Sequence, residues 1–235
     1  MNSAAISQGP RMGSTHLFSH DLGASIMSNA TPIVSVVDDD ESVLESLRLL
    51  IRCGGWQPKT FVCAQEFLAR PPALVPNCLI LDVSLASLDG LDVQKRVSRE
   101  RPEMPIIFIT GHGDVRTTVQ AMKAGAFEFF TKPFQGELML SAIREALERS
   151  RIALGHEAEM SVLRERYGSL SPRERQVMVL VVSGLLNKQV GGELGISEVT
   201  VKAHRGQVME KMKSDSLADL VRMAARLRLA PVPKS

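Results

Sequence analysis

Four short apolar runs constrain this chain more than any other feature: Ile33–Val37, Cys78–Leu81, Ile106–Ile109 and Phe127–Phe130. They alternate with helix-length amphipathic stretches, and a polar residue follows each of them. Runs of this length, apolar on both faces, suit strands of a parallel sheet covered by helices on both sides. The intervening periodicity predicts helices near 41–53, 64–70, 90–100 and 114–123, and a long one from about 136. A weaker strand over 56–61 contains Pro58, which has no N–H for a ladder and so belongs at an edge. The expected fold class is α/β, a doubly wound five-stranded parallel sheet ending near residue 150. A smaller C-terminal all-α domain follows it.

The length of 235 residues favours two small domains over one. Residues 1–30 are rich in Ser, Gly, Ala and Asn without periodicity and read as a disordered tail; Met27 is a candidate true start. The sheet domain takes 31–150, a charged, Pro-free helical linker 151–168, and the helical domain 169–235. The linker helix either continues past Leu154 or is broken at Gly155. No apolar run approaches the roughly 18 residues that a bilayer span needs, and no secretory signal is evident. A soluble, cytoplasmic protein without a membrane partner is expected. Cys53, Cys63 and Cys78 fit no zinc spacing and read as reduced thiols. The first 150 residues carry 14 basic against 17 acidic side chains, and the rest 14 against 9. That asymmetry fits a regulatory module joined to a nucleic-acid-binding one.

The strand ends carry the chemistry. The first run leads into Asp38-Asp39-Asp40, the third strand ends at Asp82, the fourth at Thr110, and the fifth at Thr131-Lys132-Pro133. In an open parallel sheet, ligands bind in the crevice beyond the carboxyl ends of the strands. Clustered Asp38, Asp39 and Asp82 demand a neutralising cation, and hard oxygen donors with positions left for water suit Mg²⁺. Lys132 supplies a point charge and Thr110 a hydroxyl donor. Such a site is fitted to a phosphoryl group on Asp82, with that carboxylate as nucleophile. Turn chemistry alone is the competing account of any single one of these residues.

Val36-Val37-Asp38-Asp39, Leu81-Asp82, Ile109-Thr110-Gly111-His112-Gly113-Asp114 and Lys132-Pro133-Phe134 resemble the receiver domain of two-component response regulators. The resemblance implies phosphorylation of Asp82 by a sensor histidine kinase. It also implies Mg²⁺ held by Asp38, Asp39, Asp82 and the backbone carbonyl of Ser84, and a switch in which Thr110 turns toward the phosphoryl group while Phe129 repacks inward. In similar proteins the Lys132–Pro133 bond is cis. One departure is Ser84-Leu85-Ala86-Ser87, where receivers usually carry Met-Pro; a looser loop after Asp82 is expected.

In the C-terminal part, Ser171-Pro172-Arg173-Glu174 is a capping box with Pro at the first helical position. Asn187–Leu194 reads as a short helix, Gly195-Ile196 as a turn, and Ser197 as the N-cap of a longer helix. That helix turns Val201, Val208 and Met212 to one side and Val199, Lys202, Ala203, Gly206 and Gln207 to the other. A small, polar, cationic face of this kind suits the major groove. Lys188, Arg205 and Lys211 stand where they could reach phosphates. An ordinary helical bundle with basic surface residues is the alternative.

Leu170-Ser171-Pro172-Arg173-Glu174-Arg175-Gln176-Val177, Gly184-Leu185-Leu186-Asn187-Lys188 and Ser197-Glu198-Val199-Thr200-Val201-Lys202-Ala203-His204-Arg205 resemble the LuxR-type output domain. The whole chain after residue 31 is thus similar to response regulators of the FixJ/NarL class. This implies a dimer on promoter DNA with the helix at about 198–211 in the groove, and DNA contacts from Lys188, Thr200, Lys202, Ala203, Arg205, Gly206 and Gln207. RNA polymerase is a further candidate partner. Gly191-Gly192 departs from the pattern and predicts a helix that is either frayed or tightly packed. In the last helix, Leu217, Leu220, Val221 and Ala224 are core or dimer contact.

Two other functions are compatible with parts of the chain. Asp38-x-Asp40-x-Ser42 mimics the start of haloacid-dehalogenase-type phosphatases, with Asp38 as nucleophile, but leaves Asp82 and the C-terminal helices without a role. A regulator whose output binds protein or RNA is the other. His16, His20, His112 and His204 read as solvated, loop or packing residues, and no Ser or Cys has a recognisable base partner.

Overall fold

The computed structural model describes residues 30–85, 89–111 and 115–229. Strands β1 (Ile33–Val37), β2 (Gln57–Phe61), β3 (Asn77–Asp82), β4 (Ile106–Thr110) and β5 (Glu128–Thr131) form one parallel sheet in the order β2-β1-β3-β4-β5. Helices α1 (Glu41–Cys53), α2 (Ala64–Leu68), α3 (Gly90–Glu100), α4 (Val115–Lys123) and α5 (Gly136–Gly168) alternate with them. The C-terminal part adds α6 (Pro172–Val182), α7 (Asn187–Leu194), α8 (Glu198–Met212) and α9 (Leu217–Arg226).

All six residues of β3 and all five of β4 are buried, as strands covered on both faces must be. Pro58 sits on β2 opposite Val34 of β1, at the sheet edge where its missing N–H breaks no ladder. The fifth strand corrects the sequence reading. It starts at Glu128 rather than Phe127, Glu128 and Thr131 are exposed, and Phe129 and Phe130 are only half-buried. An edge strand has a neighbour on one side only, so it is covered less completely.

Two apolar layers flank the sheet. One joins Val34, Val36, Ile80 and Ile107 to Leu47, Ile51, Met139 and Ile143 of α1 and α5. The other joins Leu79, Leu81 and Phe108 to Phe67, Val93, Val97 and Ala121 of α2, α3 and α4. Asp40 caps α1 by accepting from the amide of Ser42, and Asp89 caps α3 by accepting from that of Leu91. Residues 64–70 were expected as one helix, but only 64–68 are helical.

Helix α5 runs unbroken for 33 residues, through Gly155. Its first half packs on the sheet through Met139, Ile143, Leu147 and Ser150, and its end enters the C-terminal core through Leu163. The stretch between is exposed or half-exposed, and the Arg151–Glu148 and Arg164–Glu157 ion pairs run along it. One glycine costs a helix only about 1 kcal/mol, less than packing at both ends supplies. Cys53, Cys63 and Cys78 are free thiols, and burial pushes that of Cys78 well up. No helix among the described residues is long and apolar enough to cross a membrane. The tail over 1–30 and the start at Met27 lie outside the described residues apart from Ala30.

The C-terminal helices share two small cores, one of Leu163, Leu170, Met178, Val208, Met212 and Leu220, the other of Val177, Val181, Val190 and Val201. The capping box forms as expected. Its Glu174 does more than cap: besides the amide of Ser171 at 2.8 Å, its carboxylate accepts Lys211 Nζ at 2.7 and 2.9 Å. The Lys211 hydrogen bond, then the Ser171 amide, hold the Glu174 carboxyl below the usual range. A depressed carboxyl pKa stabilises above the unfolded value, near pH 4.3, and that contribution is lost as pH falls through the folded one. Glu174→Gln is therefore expected to destabilise this domain by about 2 kcal/mol at pH 7, with the difference shrinking as pH falls below the ordinary carboxylate range and through the depressed pKa of the folded state. Helix-monitored unfolding against pH checks this; a difference independent of pH would contradict it.

Candidate functional site

The parallel topology brings the ends of β1, β3, β4 and β5 to one edge, and the register fixes what arrives there. Asp82 lies opposite Ile109, and Thr110 opposite Thr131. The amide of Lys132 donates to the carbonyl of Thr110 at 2.7 Å, seating the lysine beside β4. The Lys132–Pro133 bond is cis. Lys132 Nζ then lies 2.6 Å from Asp38 Oδ2 and 3.1 Å from Asp82 Oδ1, bridging the two acids.

Both acids are out of solvent, Asp38 fully and Asp82 at 4% exposure. Burial raises the Asp38 carboxyl pKa; Lys132 and the amide of Asp40 oppose this without cancelling it, and the charge of Asp82 adds to it. For Lys132, burial pulls the ammonium pKa down, but its bonds to Asp38 and Asp82 outweigh that and hold it raised. The remaining oxygens are oriented locally: Asp38 Oδ1 accepts the amide of Asp40 at 3.0 Å, and Asp82 Oδ2 that of Ser84 at 2.8 Å. Thr110 is 1% exposed at the end of β4. Phe129 stands half-buried, its ring 6.2 Å from that of Phe108.

Asp39 is exposed beside the pair. Among the described residues, no three acidic, cysteine or histidine side chains close into a metal-holding cluster. The chemistry nonetheless fits a hard divalent ion: two buried carboxylates share one ammonium, and Mg²⁺ takes one or two carboxylates readily and fills its other positions with water and carbonyls. The phosphatase alternative fits poorly. Its nucleophile would be Asp38, which leaves Asp82, bound by the same Lys132 ammonium at 3.1 Å, without a role.

Sequence reasoning missed Gly90. A Cβ there would stand 2.7 Å from the carbonyl oxygen of Asp82 and 3.0 Å from Val83 Cα. Only a glycine lets the first turn of α3 lie against the backbone of the acid, and its amide donates to Val83 O at 3.2 Å. The Asp89-Gly90 pair, a cap followed by the smallest residue, was the available signal. Of the loop expectation for 84–87, Ala86 and Ser87 fall outside the described residues, and all of His112-Gly113-Asp114 does.

The comparisons agree with this geometry at both ends of the chain. Residues 34–144 match the response regulator receiver domain, and residues 168–224 the bacterial regulatory proteins of the luxR family. Response regulator protein TmoT of Ectopseudomonas mendocina is 46% identical over 207 residues, 88% of this chain and 94% of that protein. Transcriptional regulatory protein FixJ of Bradyrhizobium diazoefficiens is 40% identical over 193 residues, 82% of this chain and 94% of that protein. The solved structure of response regulator StyR superposes with a TM-score of 0.75 at 43% identity, covering 84% of this chain and all of that one.

The chain belongs to the response regulators with a LuxR-type DNA-binding domain.

In this regulator α7 and α8 form the helix-turn-helix. Gly195 closes α7 in the left-handed conformation at φ 66°, and Ser197 caps α8 by accepting from the amide of Thr200 at 3.1 Å. Val201, Val208 and Met212 are buried, while Lys202, Ala203, Gly206 and Gln207 are exposed on the other side, as the spacing predicts. Lys188 is exposed on α7. Three expected contacts also have work within the fold. Thr200 shares a hydroxyl bond of 2.8 Å with Ser197, and Arg205 donates to Asn187 Oδ1 at 2.8 Å, tying α8 to α7. Lys211 is bound to Glu174, which corrects its expected place among the phosphate-reaching cations.

Of the Gly191-Gly192 pair, Gly191 is the packed one. Its Cβ would come within 2.7 Å of Ile196 O in the turn, whereas at Gly192 it would meet open space. The helix is tightly packed at Gly191 rather than frayed, and the carbonyl of Gly191 accepts the amide of Ile196 in the turn at 3.0 Å. The stripe expected on α9 divides: Leu220 and Ala224 are core, whereas Leu217 and Val221 are 42% and 41% exposed.

Proposed function

We propose that Asp82 is the phosphoacceptor of a receiver spanning 31–150, joined by a linker over 151–168 to an output domain over 169–235. The observation that carries this is Lys132 Nζ held between Asp38 and Asp82 at the carboxyl edge of the sheet. An Asp82 carboxylate oxygen attacks the phosphorus of a phosphohistidine on a sensor kinase; the P–N bond breaks and its electron pair returns to the imidazole. Asp38, Asp39, Asp82 and the carbonyl of Ser84 are the proposed Mg²⁺ ligands, and that ion shields the approaching phosphoryl oxygens when bound. Lys132 exchanges part of its contact with the carboxylate for the new phosphoryl charge. Thr110, at the end of the neighbouring strand, donates its hydroxyl to a phosphoryl oxygen. Its movement vacates space toward which Phe129, already against Phe108, repacks.

The consequence runs to the output domain. The modified receiver pairs with a second copy, and two copies of α8 enter successive major grooves of promoter DNA. Lys188, Thr200, Lys202, Ala203, Arg205, Gly206 and Gln207 supply the contacts, in the cytoplasm where that DNA is, with RNA polymerase as the partner acted upon. Acetyl phosphate labelling with Mg²⁺ tests the reading. Asp82→Asn is expected to abolish acid-stable, hydroxylamine-sensitive label while leaving the fold intact. Retained label that only Asp38→Asn removes would establish the phosphatase chemistry instead. Mobility shifts with and without acetyl phosphate test the output, and salt-sensitive specific binding in neither condition would point to a protein or RNA partner.

A further inference from the structure

Two residues on the outer side of α8 run against helix stability without serving the fold. A Cβ at Gly206 would meet nothing within 4 Å, and its backbone is right-handed helical like its neighbours, so no contact inside the chain calls for glycine. Glycine is among the least favourable residues in a helix interior. Val199, in the first turn, is 76% exposed, an apolar β-branched side chain standing in water on a helix where alanine or a polar residue would do better. The two are seven residues apart, hence on one face, with exposed Lys202 and Ala203 between them at i+3 and i+4. The buried residues Val201, Val208 and Met212 lie on the other side.

We propose that Val199 is a specificity-determining residue that rests on the 5-methyl group of a thymine. Gly206, two turns on, lacks a side chain so that the helix can come close enough for that contact. The inference rests on the DNA-binding reading of α8 given above. The major groove exposes the thymine methyl, the one apolar group among its base edges, and the N-terminal residues of a docked helix lie nearest the bases. Valine suits the task because its χ1 is nearly fixed in a helix, so its methyls are already aimed. Lys202, one turn from each, would keep the register through a phosphate or a guanine edge.

The test uses the full chain treated with acetyl phosphate and Mg²⁺. Duplexes are selected from a randomised pool, and each thymine of a selected duplex is replaced in turn by deoxyuridine, which removes the methyl and nothing else. Wild type is expected to bind roughly three- to fivefold more weakly at one position in each half-site, and Val199→Ser to be indifferent there. Gly206→Ala is expected to raise the unfolding temperature yet weaken binding roughly tenfold. Wild type indifferent to every deoxyuridine, Val199→Ser keeping the same methyl dependence, or Gly206→Ala binding as tightly as wild type would each overturn the proposal. A pool that yields no duplex would overturn the DNA-binding reading itself, an outcome distinct from binding without methyl dependence.

Discussion

Replacing Lys132 with methionine is expected to destabilise the receiver by about 3 kcal/mol at neutral pH. Methionine keeps the length and apolar stem of the side chain, so the loss is electrostatic. In the native chain the ammonium lies 2.6 Å from Asp38 and 3.1 Å from Asp82, with only 21% of its side chain exposed. Without it, two carboxylates that water hardly reaches face each other uncompensated, which burial alone makes strongly unfavourable. The chain's single tryptophan, Trp56, packs on the receiver core, so urea unfolding followed by its fluorescence reads this domain. Added Mg²⁺ is expected to recover more stability in Lys132→Met than in wild type, because the acids then lack their other cation. A shift below about 1 kcal/mol would show that the bridge is an exposed pair of small worth.

The second large effect pairs two adjacent glycines with opposite signs. Gly191→Ala is expected to cost about 3 kcal/mol of output-domain stability, and Gly192→Ala to add up to about 1 kcal/mol. At Gly191 the new methyl would stand 2.7 Å from Ile196 O, a backbone atom in the turn before α8 that cannot rotate away. Relief requires that turn to shift, and with it the start of the recognition helix, so DNA affinity falls together with stability. At Gly192 nothing lies within 4 Å, and alanine simply lowers the entropy lost on folding. Helix-monitored thermal unfolding of the two variants checks both signs. Equal effects at the two positions would contradict the close approach.

Sequence reasoning reached some elements and not others for identifiable reasons. Strands β1, β3 and β4 were legible because burial on both faces leaves continuous apolar runs, and polar residues at their ends mark where the sheet edge begins. The bridged acids were legible too, since a parallel sheet delivers successive strand ends to one crevice whatever the loops do. Phe127 was misread as strand because an edge strand has no continuous apolar signature, so its register is set by β4 instead. Pairings across long separations left no local trace. Ser150 of α5 accepts the amide of Asn77 from 73 residues away, and Lys211 reaches Glu174 across 37. Gly191 announced itself as an anomaly, but only the proximity of Ile196 O says that the helix is packed there. Arg101, buried and donating to the carbonyls of Leu68 and Arg70, is likewise invisible to spacing.

The unbroken α5 makes chain length and heading inseparable. Thirty-three residues at about 1.5 Å each give a rod of roughly 50 Å, gripped by the sheet at one end and by the C-terminal core at the other. Inserting one residue midway would advance the far end slightly but swing it by about 100°, aiming the groove-reading surface somewhere new. Seven inserted residues restore the heading to within about 20°. Lengthening the rod by a whole heptad therefore keeps the heading of the C-terminal helices, whereas an insertion of one or two residues turns them to a new azimuth.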